Sequence, residues 1–263
     1  MRLFCPAMLF AAVWPLCAQE ANLQFEVAVV KPTADRSLPG LIVHMPGERG
    51  YRGVNMALVD YLRVAFQVRP DQISGPDWIS TENFDLVGKA DRTCTADELH
   101  TMLQQLLIER FHIRLHRASK EVSGYRLAVE PGGHKMRDHD PEDRQMLPIQ
   151  MGPGGAHEGK NVRMQYFAFF LSTELGQAVV EDTGLKGHYD FNAKWDVPGA
   201  MSAPPPPPPA PGGGPPLDEM MVSRSAGIPV FDALRKQLGL RLEKAKVSAQ
   251  QIVIDHIEKL SEN

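Results

Sequence analysis

The stretch Val179 to Trp195, VVEDTGLKGHYDFNAKW, reads as a strand, a glycine-marked turn and a second strand, and it follows directly on an amphipathic helix. The same order of helix, strand and strand can be traced four times along the chain, and this constrains the fold more than any other feature. Unit one has its helix over Asn55 to Phe66 and strands over Gln72 to Ser74 and Phe84 to Ala90. Unit two places a helix over Thr95 to Arg110 and strands over Phe111 to His116 and Tyr125 to Glu130. Unit three runs from Met164 to Leu175, then through Ala178 to Asp182 and His188 to Trp195. Unit four runs from Pro229 to Leu238, then through Leu240 to Glu243 and Gln251 to His256. The expectation is an α+β fold in which amphipathic helices pack on mainly antiparallel sheets.

The helix signals are specific. Thr95 and Glu98 fit a capping box, in which each side chain bonds the other residue's free backbone N–H. Leu99, Met102, Leu103, Leu106 and Leu107 then form one apolar stripe. Asn55 is expected to cap the first helix, Gly176 to stop the third, and Pro229 and Gly239 to bracket the fourth. Ahead of the first helix, Phe25 to Lys31 alternates as a strand ended by Pro32, and LIVHM lies in a second strand.

Residues 1 to 18 carry Arg2, an apolar centre and a small residue at Ala18, the pattern of a signal peptide cleaved before Gln19. Its removal takes the formal charge from −4 to −5, because Arg2 is the single ionic residue in it. A mildly acidic chain has no overall field to draw nucleic acid, so no nucleic-acid partner is expected. No later apolar run is long enough to span a bilayer. Cleavage also removes Cys5 and Cys17, leaving Cys94 without a partner for an internal disulfide. The chain then divides into an N-terminal half (19–130), a Gly/Pro-rich loop (131–160) and a C-terminal half (161–263) interrupted by the proline-rich stretch 203–216.

Four residues are singled out as binding candidates. Arg110, Arg114 and His116, with Arg117 and Lys120, form a basic stripe suited to an anion, and Trp78 sits in the Gly75-Pro76-Asp77-Trp78 turn. His112 and His116 would lie about 13 Å apart on a strand, too far to share a metal. His134, His139 and His157 have no ligand spacing, so neither metal nor cofactor is expected. Asp182-Thr183-Gly184 matches the triplet of aspartic proteases, where two carboxylates share a proton, but occurs once. Its plainer reading is a turn, with Asp182 bonding the backbone ahead and Gly184 and Gly187 permitting the bend.

Several of these motifs occur together: Gly75-Pro76-Asp77-Trp78 with Phe84-Asp85, Arg110-Phe111 with His116-Arg117, Asp182-Thr183-Gly184-Leu185 with Gly187 and Tyr189-Asp190-Phe191, and the terminal Ser261-Glu262-Asn263. In that combination the chain resembles a large family of exported proteins, abundant in soil bacteria and catalogued as a domain of unknown function. Leu260 departs from it, since the family usually has proline before the Ser-Glu-Asn end. Related domains occur fused to membrane-embedded zinc-peptidase sensors, so the resemblance implies a sensing or binding role outside the cytoplasm. The units are also distantly similar to small interaction domains of outer-membrane secretins and receptors. The expected function is a non-enzymatic module for a small ligand or an envelope protein, with a hydrolase using Asp182 as the alternative.

Overall fold

The computed structural model of the protein describes residues 23–37, 39–45, 49–140, 148–152, 156–195 and 228–260. The expected leader, the proline-rich stretch 203–216 and the final Ser261-Glu262-Asn263 lie outside these residues. The fold is α+β. One antiparallel sheet holds β1 (Val27–Pro32), β2 (Leu41–His44), β3 (Gly50–Ala57) and β5 (Asn83–Lys89), in the order β1-β5-β3-β2. Another holds β7 (Arg137–Asp138), β8 (Ile149–Met151), β9 (Ala156–Arg163) and β11 (His188–Lys194), in the order β7-β11-β9-β8. Between them lies the central sheet β10-β6-β12-β4, formed by β4 (Ile73–Ser74), β6 (Arg114–Val129), β10 (Ala178–Glu181) and β12 (Leu240–His256). The helices are α1 (Leu58–Phe66), α2 (Ala96–Arg110), α3 (Met164–Leu175) and α4, which begins as Val230–Ala233 and continues as a wider π turn over Leu234–Leu238.

The two halves are wired alike. Residues 27–129 run β-β-β-α-β-β-α-β, and residues 137–256 repeat that order. In the middle, β6 and β12 pair antiparallel from Leu240 opposite Val129 to His256 opposite Arg114. Each half then lays its short strand beside the long strand of the other: β4 runs parallel to β12 and β10 parallel to β6. The left-handed residues correspond as well. Asn55, Gln67 and His112 have φ of 51, 52 and 49°, and Asn161, Gly176 and Gly239 have φ of 54, 62 and 65°, each before or after the matching helix. A non-glycine residue pays strain in that region, so three coincident positions reflect one backbone path used twice.

Several expectations change here. Units two and four do not each carry two strands, because Arg114–His116 with Tyr125–Val129, and Leu240–Glu243 with Gln251–His256, belong to the single strands β6 and β12. Each long strand serves two cores: Leu115, Ile252 and Ile254 pack into the first, and Leu127, Leu240 and Leu242 into the second. The middle, whose polar residues read as a break in sequence, is where the ribbon crosses between them, and it is held by the ladder and a small apolar cluster. Phe111 and His112 end α2 in a left-handed turn rather than beginning a strand. Asn55 does not cap α1, since β3 continues to Ala57 and no side chain caps the helix. Residues 131–160 are not simply a loop; they contain β7, β8 and the start of β9. The Thr95–Glu98 capping box forms as expected.

Two main cores result. The first centres on Tyr61, Leu62, Leu86, Leu103 and Phe111. The second centres on Phe167, Leu171, Leu127, Leu234 and Trp195. A smaller cluster of Ala178, Val247 and Ala249, with Val122, Val180 and Ala245 against it, covers the middle of the ribbon.

Candidate functional site

The second half contains one buried polar node and the first half its counterpart. Asn161, three residues ahead of α3, turns its amide into the sheet and donates to Asp190 Oδ1 at 2.9 Å. Asp190 also accepts from His139 Nδ1 at 2.7 Å and stands 3.5 Å from Lys160 Nζ. The His139 and Asp190 side chains are only 4% and 13% exposed, so the carboxylate is charged in a nearly dry place. Burial pushes the Asp190 carboxyl up, but the Asn161 amide, the His139 ring and Lys160 outweigh it and hold it below its ordinary value. In the first half Asn55, three residues ahead of α1, donates to Asp85 Oδ1 at 3.0 Å, and Thr33 Oγ1 donates at 2.9 Å where His139 does in the other node. Gly53 and Gly159 each lie two residues before the asparagine. A Cβ there would come within 2.2 Å of the Tyr61 hydroxyl and 2.3 Å of the Phe191 ring, respectively. These nodes fix where each helix leaves its sheet.

An opening lies over the central ribbon. A crevice of about 400 Å³ lies between the C-terminal end of α1, the side of α3 and the strands β10 and β12. Its floor is the small-residue cluster around Ala178, Val180 and Ala249. Its polar lining consists of Gln67, Gln72, Gln165, Gln250, Ser172 and Ser248, with Glu181 at one end and Phe169 as the aromatic face. No Lys, Arg or His lines it among the described residues. Two of the amides are set by their neighbours. Gln67 Nε2 lies 2.8 Å from His100 Nδ1, and Gln72 Nε2 donates to the Gln250 carbonyl at 2.6 Å. Glu181 Oε1 accepts from the Thr183 N–H at 2.7 Å and the Thr183 hydroxyl at 2.5 Å. Ser248 sits opposite Glu121, at the middle of the β6–β12 pairing, so the crevice straddles the junction of the halves.

The candidates named from sequence lie elsewhere. Arg110 lines a separate groove between β1 and α2 and donates to the Ala28 carbonyl at 3.4 Å. Arg114 is exposed at the end of the ribbon. His116 Nδ1 is 2.9 Å from Asp255, and His112 Nδ1 is 3.3 Å from Glu258, so acids from the end of β12 offset the expected basic stripe. The His256 ring bonded to Glu258 holds that carboxyl below its usual range. Trp78 is half-buried in a 3-10 turn, Asp77–Ser80, packed on Phe111 with Lys259 Nζ 5.6 Å above its ring. It clamps the chain end and faces no crevice described above.

Asp182 pairs with Arg126 at 3.3 Å, with both side chains about half exposed, and its N–H donates to the Leu127 carbonyl at 2.9 Å. The turn is held by Glu181 and Thr183 rather than by the Asp182 side chain, with Gly184 at φ 71°. Thus Asp182 faces an arginine where an aspartic-protease site needs a second carboxylate. Cys94 is buried just before α2, and burial raises its thiol pKa, which leaves little thiolate at neutral pH. Among the described residues no three His, Cys, Asp or Glu side chains converge as a metal site. His134, His139 and His157 contact Tyr189, Asp190 and Trp195 respectively.

Most of this architecture falls within a known protein family. The chain belongs to the family "Protein of unknown function (DUF3738)". The DUF3738 match covers residues 59–257, from the first turn of α1 to just past the end of β12. It therefore includes the Asp85 and Asp190 positions and all the residues of the crevice, while β1, β2 and β3 lie ahead of it. No curated protein and no solved structure matches the chain. No helix among the described residues of this DUF3738 protein is long and apolar enough to cross a membrane.

Neither the nodes nor the crevice was singled out from sequence. A signal for the nodes was present: Gly53-Val54-Asn55 and Gly159-Lys160-Asn161 each precede a helix, and Phe84-Asp85 and Tyr189-Asp190 each lie about 30 residues on. The crevice had none, because its lining comes from four separated segments.

Proposed function

We propose that this chain is an exported, non-enzymatic binding module that takes a small neutral saccharide in the crevice between α1 and α3. The crevice lining carries the reading. The side chains of Gln165, Gln250 and Ser172, with the Gln67 carbonyl, offer donors and acceptors of the kind that vicinal sugar hydroxyls use, Gln72 and Ser248 being engaged by Arg69, Gln250 and Ser119, and Phe169 offers a flat apolar face for a sugar ring. A lining without basic side chains disfavours phosphates, and about 400 Å³ suits one or two sugar rings. The signal-like pattern of residues 1 to 18 supports a location outside the cytoplasm, where cell-wall saccharides are available.

The test is calorimetric titration of the purified protein with a panel of cell-wall mono- and disaccharides, inorganic phosphate and short peptides. Binding of a neutral saccharide that is lost in Gln165→Ala and Phe169→Ala and kept in Arg114→Ala is expected. Binding of phosphate alone, or saccharide binding lost in Arg114→Ala but kept in Gln165→Ala, would move the site to the end of the ribbon and refute the proposal.

A further inference from the structure

The corner where β9, α3 and β11 meet holds an imidazole in an unusual setting. The His157 side chain is 3% exposed and lies flat on the Trp195 indole, with ring centres 3.9 Å apart and planes 4° from parallel. Phe170 meets it edge-on at 5.7 Å. Neither ring nitrogen has a hydrogen-bond partner, and Glu174 Oε2, also without one, stands 3.8 Å from Nε2. Two elements pack on the ring: α3 brings Glu174 and Phe170, and β11 leads into Trp195, while Met151 of β8, opposite in register, is exposed. Glu174 is the ionisable group among these.

We propose that His157 and Glu174 form a one-proton switch that keeps this corner closed near neutral pH and loosens it on acidification. With a single proton between them the pair is neutral overall, whichever residue carries it, and this suits a ring that is 3% exposed beside a carboxyl whose side chain is 23% exposed. A second proton leaves an imidazolium beside an uncharged carboxyl, one net buried charge with no acceptor in hydrogen-bond reach. The corner must then admit water or open. Burial disfavours the charged form of each group, lowering the His157 pKa and raising that of Glu174 against the opposing effect of the Trp195 indole. Two coupled groups of this kind titrate as a pair rather than singly. The indole against the ring provides the readout, because a protonated imidazole in contact with it quenches its fluorescence.

The experiment uses the full chain carrying Trp14→Phe and Trp78→Phe, so that Trp195 alone emits. Its emission is followed from pH 8 to pH 4, with far-UV circular dichroism at pH 7.5 to show that each variant folds. A fall in emission is expected, with a midpoint below the ordinary histidine range. His157→Phe, which keeps an aromatic ring on the indole, abolishes the transition. Glu174→Gln, which is isosteric, shifts the midpoint by at least half a pH unit, an effect that a purely packing role for Glu174 does not produce. Flat emission across the range, a transition that survives His157→Phe, or an unmoved midpoint in Glu174→Gln would each overturn the proposal.

Discussion

Replacing Asp190 by alanine tests the account of how the second half is held together. The substitution removes the acceptor of two nearly dry donors, the Asn161 N–H and His139 Nδ1, and takes away the charge facing Lys160. A buried donor left without a partner costs about 1–3 kcal/mol, so the expected destabilisation is roughly 2–5 kcal/mol. Asp190→Asn, which keeps an oxygen for the Asn161 amide, should cost less than half as much. Asp85→Ala, in the more exposed node with a 25% exposed carboxylate, should fall between them. The assay is urea unfolding followed by circular dichroism, with linear extrapolation at a series of pH values. The sign with pH is fixed by the depressed Asp190 pKa. A carboxyl whose folded pKa lies below its unfolded value contributes stability that is fully present above about pH 4 and is lost as pH falls through the folded value. The penalty of Asp190→Ala should therefore shrink below about pH 4. A penalty under about 1 kcal/mol at pH 7.5, or one that grows on acidification, would refute the node as an anchor of α3.

Gly176→Ala and Gly239→Ala both place a side chain at positive φ, but only Gly239 also meets an obstacle, the Gly133 carbonyl oxygen at 2.3 Å. Urea unfolding should show a cost of about 1 kcal/mol for the first, from backbone strain alone, and clearly more for the second. Thr95→Ala removes the side-chain oxygen that caps α2 and should cost about 1 kcal/mol by the same measurement. Asp182→Asn breaks only a half-exposed pair with Arg126 and should stay within about 0.5 kcal/mol of the parent; a larger loss would show that this carboxylate does more than face an arginine.

The sequence by itself determined the local elements. The Thr95–Glu98 box, the α2 stripe and the Gly176 and Gly239 stops rest on interactions between residues a few positions apart, and these survive in any tertiary setting. It also carried the α+β class, because helical and strand periodicities alternate along the chain. Only the tertiary structure decided that 114–129 and 240–256 are single strands. Their polar middles look like breaks, and the hydrogen bonds that carry each strand across come from the other, more than a hundred residues away. The same holds for the pairing of Asn161 with Asp190 and for the crevice, whose lining joins α1, α3, β10 and β12. A neighbourhood assembled from distant segments leaves no periodicity in the chain, so burial, the depressed Asp190 carboxyl and the amide-lined opening exist only once the two halves have closed on their shared ribbon.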